Sequence, residues 1–93
     1  MNEIEAKEIL ERELTQYRRR SYSELLSLVD RSETVERQSP SGVTYQVEVQ
    51  VSFDDEAHRN LRVMGAIDDG GWRALKPTCG DFIVAPDGTF VGE

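Results

Sequence analysis

A chain of 93 residues, 38% hydrophobic and 31% charged, has the size of one domain and too many apolar residues for a disordered chain. A formal net charge of −7 repels phosphate backbones and anionic lipid heads, which argues against nucleic-acid or membrane binding. We therefore expect a single domain over residues 1–93, without an intramolecular disulfide because Cys79 is the only cysteine.

The placement of charge and apolar residues bears on location and partners. Residues 43–93 carry 4 basic and 9 acidic side chains, against 7 and 9 in residues 1–42, and such a field suits a basic partner. The start of the chain is acidic, unlike a secretory signal, and no apolar run approaches the roughly 20 residues that span a bilayer. We expect a cytoplasmic protein.

The N-terminal segment is predicted to be a helix. Asn2 followed by Glu5 has the spacing of a capping box, so the helix should begin there. Acidic residues crowd its first turns and Arg18–Arg20 its end, an order that complements the helix dipole. Those arginines could also bind a phosphate or an acidic partner. The apolar stripe of this helix is predicted to consist of Ile4, Ile9 or Leu10, Leu14 and Tyr17.

A second capping signal follows the arginines. Ser21 and Glu24 repeat the capping-box spacing ahead of a leucine-rich segment. This pattern predicts either a second short helix from Tyr22 to about Asp30 or one long helix bent near Ser21, and the sequence does not separate the two.

The rest of the chain reads as strands joined by turns. Glu33–Gln38 could form a first strand, and Val43–Asp54 alternates strictly between apolar and polar residues, as in a strand of an antiparallel sheet covered on one side. The alternation resumes from Leu61 to Ile67 and stops at the turn signal Asp68–Gly71. Further short strands are predicted at Trp72–Lys76, Phe82–Ala85 and Thr89–Val91, with turns at Pro77–Gly80 and Pro86–Gly88.

This order predicts an α+β fold, with one or two N-terminal helices packed on one face of a four- to six-stranded antiparallel meander sheet. The element order is similar to that of cystatin-like domains, in which a curved sheet wraps one helix. The glutamine-valine-glycine hairpin by which cystatins inhibit cysteine proteases is absent, because Gln46–Gln50 contains neither the glycine nor a loop. The resemblance therefore implies a fold and no function.

The sequence offers no catalytic, metal or cofactor site that we would assign. Cys79 and His58 are the only candidate nucleophile and base, and their spacing does not predict contact. They are also too few for a zinc site. The acidic runs Asp54–Glu56 and Asp68–Asp69 do not match a calcium loop, and no phosphate-binding glycine motif is present. We expect a protein that is not an enzyme.

The polar face of the sheet is the candidate binding surface, together with the hairpin after it. Tryptophan is over-represented at binding hot spots, but the position of Trp72 directly after Gly70–Gly71 favours a side chain that anchors that hairpin to the core over one that binds a partner. The candidate binding residues are Gln46, Glu48, Gln50, Arg62, Asp68, Asp69 and Trp72.

These features favour a non-enzymatic, acidic protein-interaction module, of the inhibitor or immunity type, that uses the open sheet face or the hairpin loops. The alternative is a small-ligand carrier with an apolar pocket between helix and curved sheet. Homodimerisation stays open, because a meander has unpaired edge strands. The carrier pocket would be lined by Tyr17, Tyr45, Phe53, Trp72 and Phe82.

Overall fold

The computed structural model describes residues 2–71 and 77–93. Its elements are α1 (Glu3–Arg18), α2 (Tyr22–Leu26), β1 (Ser32–Gln38), β2 (Thr44–Phe53), β3 (Leu61–Asp68) and β4 (Thr78–Val84). The strands form one antiparallel sheet in the order β1-β2-β3-β4, and α1 packs on one face of it. The predicted α+β meander is therefore confirmed. Within these ranges, neither helix has the length and apolar character needed to cross a membrane.

Helix α1 begins where the capping signal predicts. The Asn2 side chain accepts a hydrogen bond from the backbone N–H of Glu5 at 3.1 Å. The Glu5 carboxylate accepts hydrogen bonds from the hydroxyls of Ser41 and Tyr45, each at 2.9 Å. Glu5, the second residue of the predicted capping box, thus links the start of the helix to β2 and to the turn between β1 and β2.

The second cap belongs to a separate helix, which decides between the two alternatives. The Ser21 hydroxyl accepts from the N–H of Glu24 at 3.1 Å, and Arg19 ends α1 two residues earlier. Helix α2 stops at Leu26, short of the predicted end near Asp30. Asp30 has a φ of 64° and donates its N–H to the carbonyl of Val51, so the chain has already turned toward the sheet.

The predicted stripe of α1 is wrong at Ile4, whose side chain is 75% exposed. Ile4 lies two residues before Ala6, about 200° around the helix from it, and Ala6 is fully buried. The buried residues of α1 are Ala6, Ile9, Leu10, Glu13, Leu14 and Tyr17.

Helix α1 crosses the sheet above two glycines. Gly65 on β3 and Gly80 on β4 are paired in register beneath it. A Cβ atom added to Gly65 would lie 2.8 Å from Cδ1 of Leu10, and one added to Gly80 would lie 3.2 Å from Cδ1 of Leu14. The two leucines therefore pack against the strand backbone, an approach that larger residues on the strands would block.

The predicted turn at Pro77–Gly80 is wrong, because β4 already runs from Thr78. Gly80 allows the close approach of α1 and does not mark a turn. The predicted strand at Thr89–Val91 is also wrong: a single bridge joins Phe90 to Val84 after a tight turn. The strand predicted at Trp72–Lys76 lies outside the described residues.

Polar contacts tie α1 to β1 and β2. Glu13, buried on α1, pairs with Arg37 of β1, and the Tyr17 hydroxyl donates to Glu33 of the same strand. Burial, reinforced by Glu33, raises the pKa of Tyr17 to about 12. Burial likewise raises the pKa of Tyr45, which donates to Glu5, to about 12. No buried side-chain oxygen or nitrogen in the described ranges lacks a hydrogen-bond partner.

Candidate functional site

The face of the sheet turned away from α1 is called the open face here. In the described ranges neither helix covers it, because α1 and Leu25 of α2 pack in the core on the opposite side. Alternate residues of each strand point to it. They are Ser32, Thr34, Glu36 and Gln38 of β1, Thr44, Gln46, Glu48, Gln50 and Ser52 of β2, Arg62, Met64, Ala66 and Asp68 of β3, and Cys79, Asp81 and Ile83 of β4.

A shallow depression of about 410 Å³ lies near the centre of the open face. Its apolar side chains are Met64, Ala66 and Cys79, and Ala66 pairs directly with Cys79. Met64 is 36% exposed although it lies on an inner strand. Glu48 and Asp81 stand on two sides, so the depression has an apolar centre with carboxylates beside it.

Arg62 is held between two carboxylates at one end of the open face. Its Nε donates to Oδ1 of Asp54 at 2.9 Å, and its Nη1 pairs with Asp81. Hydrogen bonding to Asp54 raises the pKa of Arg62 above its usual value. The guanidinium charge is therefore balanced within the protein.

The structure brings most of the predicted binding residues onto one surface. Gln46, Glu48, Gln50 and Arg62 share the open face, and Asp68 lies at its edge opposite Gln46.

Asp68 and Asp69 also shape the turn after β3. The Asp68 carboxylate accepts from the N–H of Gly70 at 2.8 Å, and that of Asp69 from Gly71 at 3.1 Å. Both aspartates therefore have a structural role in the turn, which accounts in part for their presence at these positions. Trp72 lies outside the described residues.

Comparison with known proteins gives no assignment. No family model, curated protein or solved structure matches this chain. What the open face can bind must therefore be inferred from its own geometry and charge.

Sequence reasoning missed several residues of this surface. Cys79 and Asp81 are not assigned to the sheet by the sequence, which predicts a turn at Pro77–Gly80 and a strand only from Phe82, whereas β4 begins at Thr78. Ala66 could have been found from the alternation of β3, which places it on the same face as Met64. The pairing of Asp54 with Arg62 had no signal in the sequence.

Cys79 and His58 are not brought together. Cys79 pairs with Ala66 on β3. Ala66 lies five residues after Leu61, the start of β3, which is about 17 Å along the strand. His58 lies in the loop before that start and stacks on Phe53, with ring centroids 4.5 Å apart. The described residues also contain no cluster of three or more His, Cys, Asp or Glu side chains able to hold a metal ion.

Two of the three arginines at the end of α1 are engaged inside the molecule. The Arg18 guanidinium lies over the rings of Phe82 and Phe90, 4.6 and 4.7 Å from their centroids, and pairs with Glu93 at 2.8 Å. Arg20 stacks on Tyr17, 4.3 Å from its centroid. The Arg18 contacts attach the helix to β4 and to the C-terminal segment, and Arg20 also pairs with Glu33 of β1, so both arginines have structural roles.

The space between α1 and the sheet is filled. Leu10 and Tyr45 have no exposed surface, and Tyr17 and Phe82 are only 5% and 3% exposed. Leu10 also leaves no room above Gly65 for a Cβ atom. No observation in the described ranges therefore favours a ligand pocket at the place where the carrier hypothesis requires one.

Proposed function

We propose that this protein is a non-enzymatic interaction module that binds a basic protein through its open face. The observation that carries the proposal is the central depression, where Met64 and Cys79 are exposed between Glu48 and Asp81. An apolar centre with a polar rim is the usual anatomy of a protein interface.

The charges of the open face support a basic partner. Its strand residues include four carboxylates, those of Glu36, Glu48, Asp68 and Asp81, and one guanidinium. That guanidinium is already neutralised by Asp54 and Asp81. Within the described part of the chain Glu48 has no ion-pair partner, so its charge is available to a lysine or arginine of another protein.

The role that follows is of the inhibitor or immunity type, in which one protein covers a surface of another. Binding of this kind needs no chemistry from the module itself. Electrostatic complementarity would act mainly on the association rate, since opposite charges steer the encounter of two proteins. A cytoplasmic location belongs to the same proposal.

Comparative affinity capture tests the proposal. Cell lysate is passed over the wild-type chain, over Glu48→Lys and over the matched variant Glu8→Lys, which makes the same charge change on an exposed residue of α1. We expect at least one basic protein to be retained by wild type and by Glu8→Lys, and reduced at least about tenfold on Glu48→Lys.

The same capture is repeated at low and at high salt, with bound proteins quantified by mass spectrometry. Retention of the basic protein should fall as salt rises, because screening weakens steering between charged surfaces. Identical protein sets on all three columns would contradict the assignment of the open face. A loss confined to Glu8→Lys would place the interface on the outer side of α1 instead.

A further inference from the structure

Strand β1 is an edge strand whose outward backbone groups are free to pair. No strand of the described ranges lies beyond it. The N–H of Ser39, the residue directly after β1, donates to the carbonyl of Val43 at 2.9 Å, and this pair continues the register of β1 with β2. Ladder bonds alternate along an antiparallel pair, so the odd-numbered residues of β1 bond β2 and the even-numbered ones direct their N–H and C=O groups outward.

We propose that β1 pairs antiparallel with β1 of a second copy of this chain, around a two-fold axis at Val35. This register pairs all seven residues of the strand. Thr34 then faces Glu36 of the second copy, and Ser32 faces Gln38. These are the residues with outward backbone groups, so the two strands exchange hydrogen bonds along their whole length.

The side chains of β1 are self-complementary in the same register. Val35 meets Val35 of the second copy on the axis, and Glu33 lies opposite Arg37 on both sides of it. All three are positions without ladder bonds across the interface, where facing side chains approach most closely. An apolar pair flanked by two opposite-charge pairs therefore forms without rearrangement of the backbone.

Neighbouring registers are less favourable. Facing residues must stay on the same side of the sheet, so the nearest alternatives move the axis by one residue, to Glu36 or to Thr34. With Glu36 on the axis, two like charges lie opposite each other. A shift that puts Thr34 on the axis leaves Arg37 beyond the end of the paired strand. Charged residues often protect an edge from pairing, but in β1 their order makes the strand fit a copy of itself.

The contacts of β1 with α1 hold the pairing residues in place. Glu33 accepts from Tyr17 and from Arg20, and Arg37 pairs with Glu13. These contacts keep the two charged side chains beside the strand and reduce the rotamer freedom lost on association. The dimer would be one continuous eight-stranded sheet with both α1 helices on the same side and the two open faces side by side.

Disulfide trapping tests the register. Val35→Cys and Thr34→Cys are each made in a Cys79→Ser background, which removes the only native thiol. Two cysteines at position 35 would have Cα atoms about 4.5 Å apart in the dimer. Two at position 34 would be separated diagonally by about 8 Å, too far for a disulfide. We expect mild oxidation to give a covalent dimer with the first variant and at least about tenfold less with the second.

Sedimentation of the unmodified chain over a wide concentration range supplies the second measurement. We expect a monomer–dimer equilibrium, and a dissociation constant at least about tenfold higher for Thr34→Pro, which removes an outward N–H and no bond to β2. Circular dichroism of that variant checks that it is folded. A monomer at every concentration, an unchanged equilibrium in folded Thr34→Pro, or equal trapping of both cysteine variants would overturn the proposal.

Discussion

Gly65→Val is expected to lower the free energy of unfolding by about 2–3 kcal/mol, the upper part of the usual range for an overpacked core. The first added carbon would already lie 2.8 Å from Cδ1 of Leu10 and 3.1 Å from Cδ2 of Leu14. Leu10 is fully buried and cannot swing into solvent. Replacing a strand glycine gains about 0.5–1 kcal/mol of backbone entropy, which is smaller than the packing cost.

The matched control is Ala66→Val, one residue along β3. Its side chain points to the open face, where the added methyl groups meet solvent, and we expect a change within about 0.5 kcal/mol. Urea denaturation of both variants measures the difference. If Gly65→Val unfolds at the same urea concentration as wild type, α1 does not press on the sheet backbone as described.

Alkaline pH is expected to destabilise the fold through Tyr17 and Tyr45. Each has a pKa of about 12 in the folded chain, against about 10 for tyrosine in an unfolded chain. Below pH 10 both phenols are protonated in both states and the stabilisation is fully present. Between about 10 and 12 the unfolded chain releases protons that the folded chain retains, so the free energy of unfolding falls as the pH rises.

The expected loss for the two tyrosines together is about 1–3 kcal/mol after allowance for solvent screening. It is measured as the urea midpoint at several pH values. In the double variant Tyr17→Phe, Tyr45→Phe the fall over this pH window should be shallower, whatever its stability at neutral pH. An equally steep fall in wild type and double variant would show that other groups cause it.

Much of the fold is encoded in local patterns and could be predicted. The alternation of Val43–Asp54 predicted β2 because one face of that strand is buried and the other is not. The cap at Asn2 predicted the start of α1, because a cap depends on contacts three residues apart. The same signal at Ser21 left a second helix or a bend open, and the structure shows a second helix.

Other features depend on contacts between distant segments, and local patterns do not reveal them. Gly80 looks like a turn residue, but it lies in a strand because α1 packs above it. Ile4 fits the spacing of the stripe, yet the sheet contacts a different side of the helix. Propensity indicates what a segment can form, and tertiary packing decides which face is buried.

The candidate site also combines residues that local patterns predict with a feature that depends on contacts between distant segments. Gln46, Glu48 and Gln50 were predictable because β2 alternates. The depression was not, since it requires Cys79 to lie beside Ala66 across two strands whose pairing the sequence does not specify. Strand register therefore limited the prediction of the surface more than the identity of its residues did.

Protection of Cys79 from alkylation reports directly on whether a partner covers the open face. Cys79 is the only thiol and is exposed beside the depression, so its rate of alkylation by a maleimide reports on access to this surface. The control is Glu8→Cys in a Cys79→Ser background, with its thiol on the exposed side of α1. With saturating amounts of the captured basic protein, we expect alkylation of Cys79 to slow at least about tenfold and that of the control to stay unchanged. An unchanged rate at Cys79 would show that the basic protein does not bind the open face.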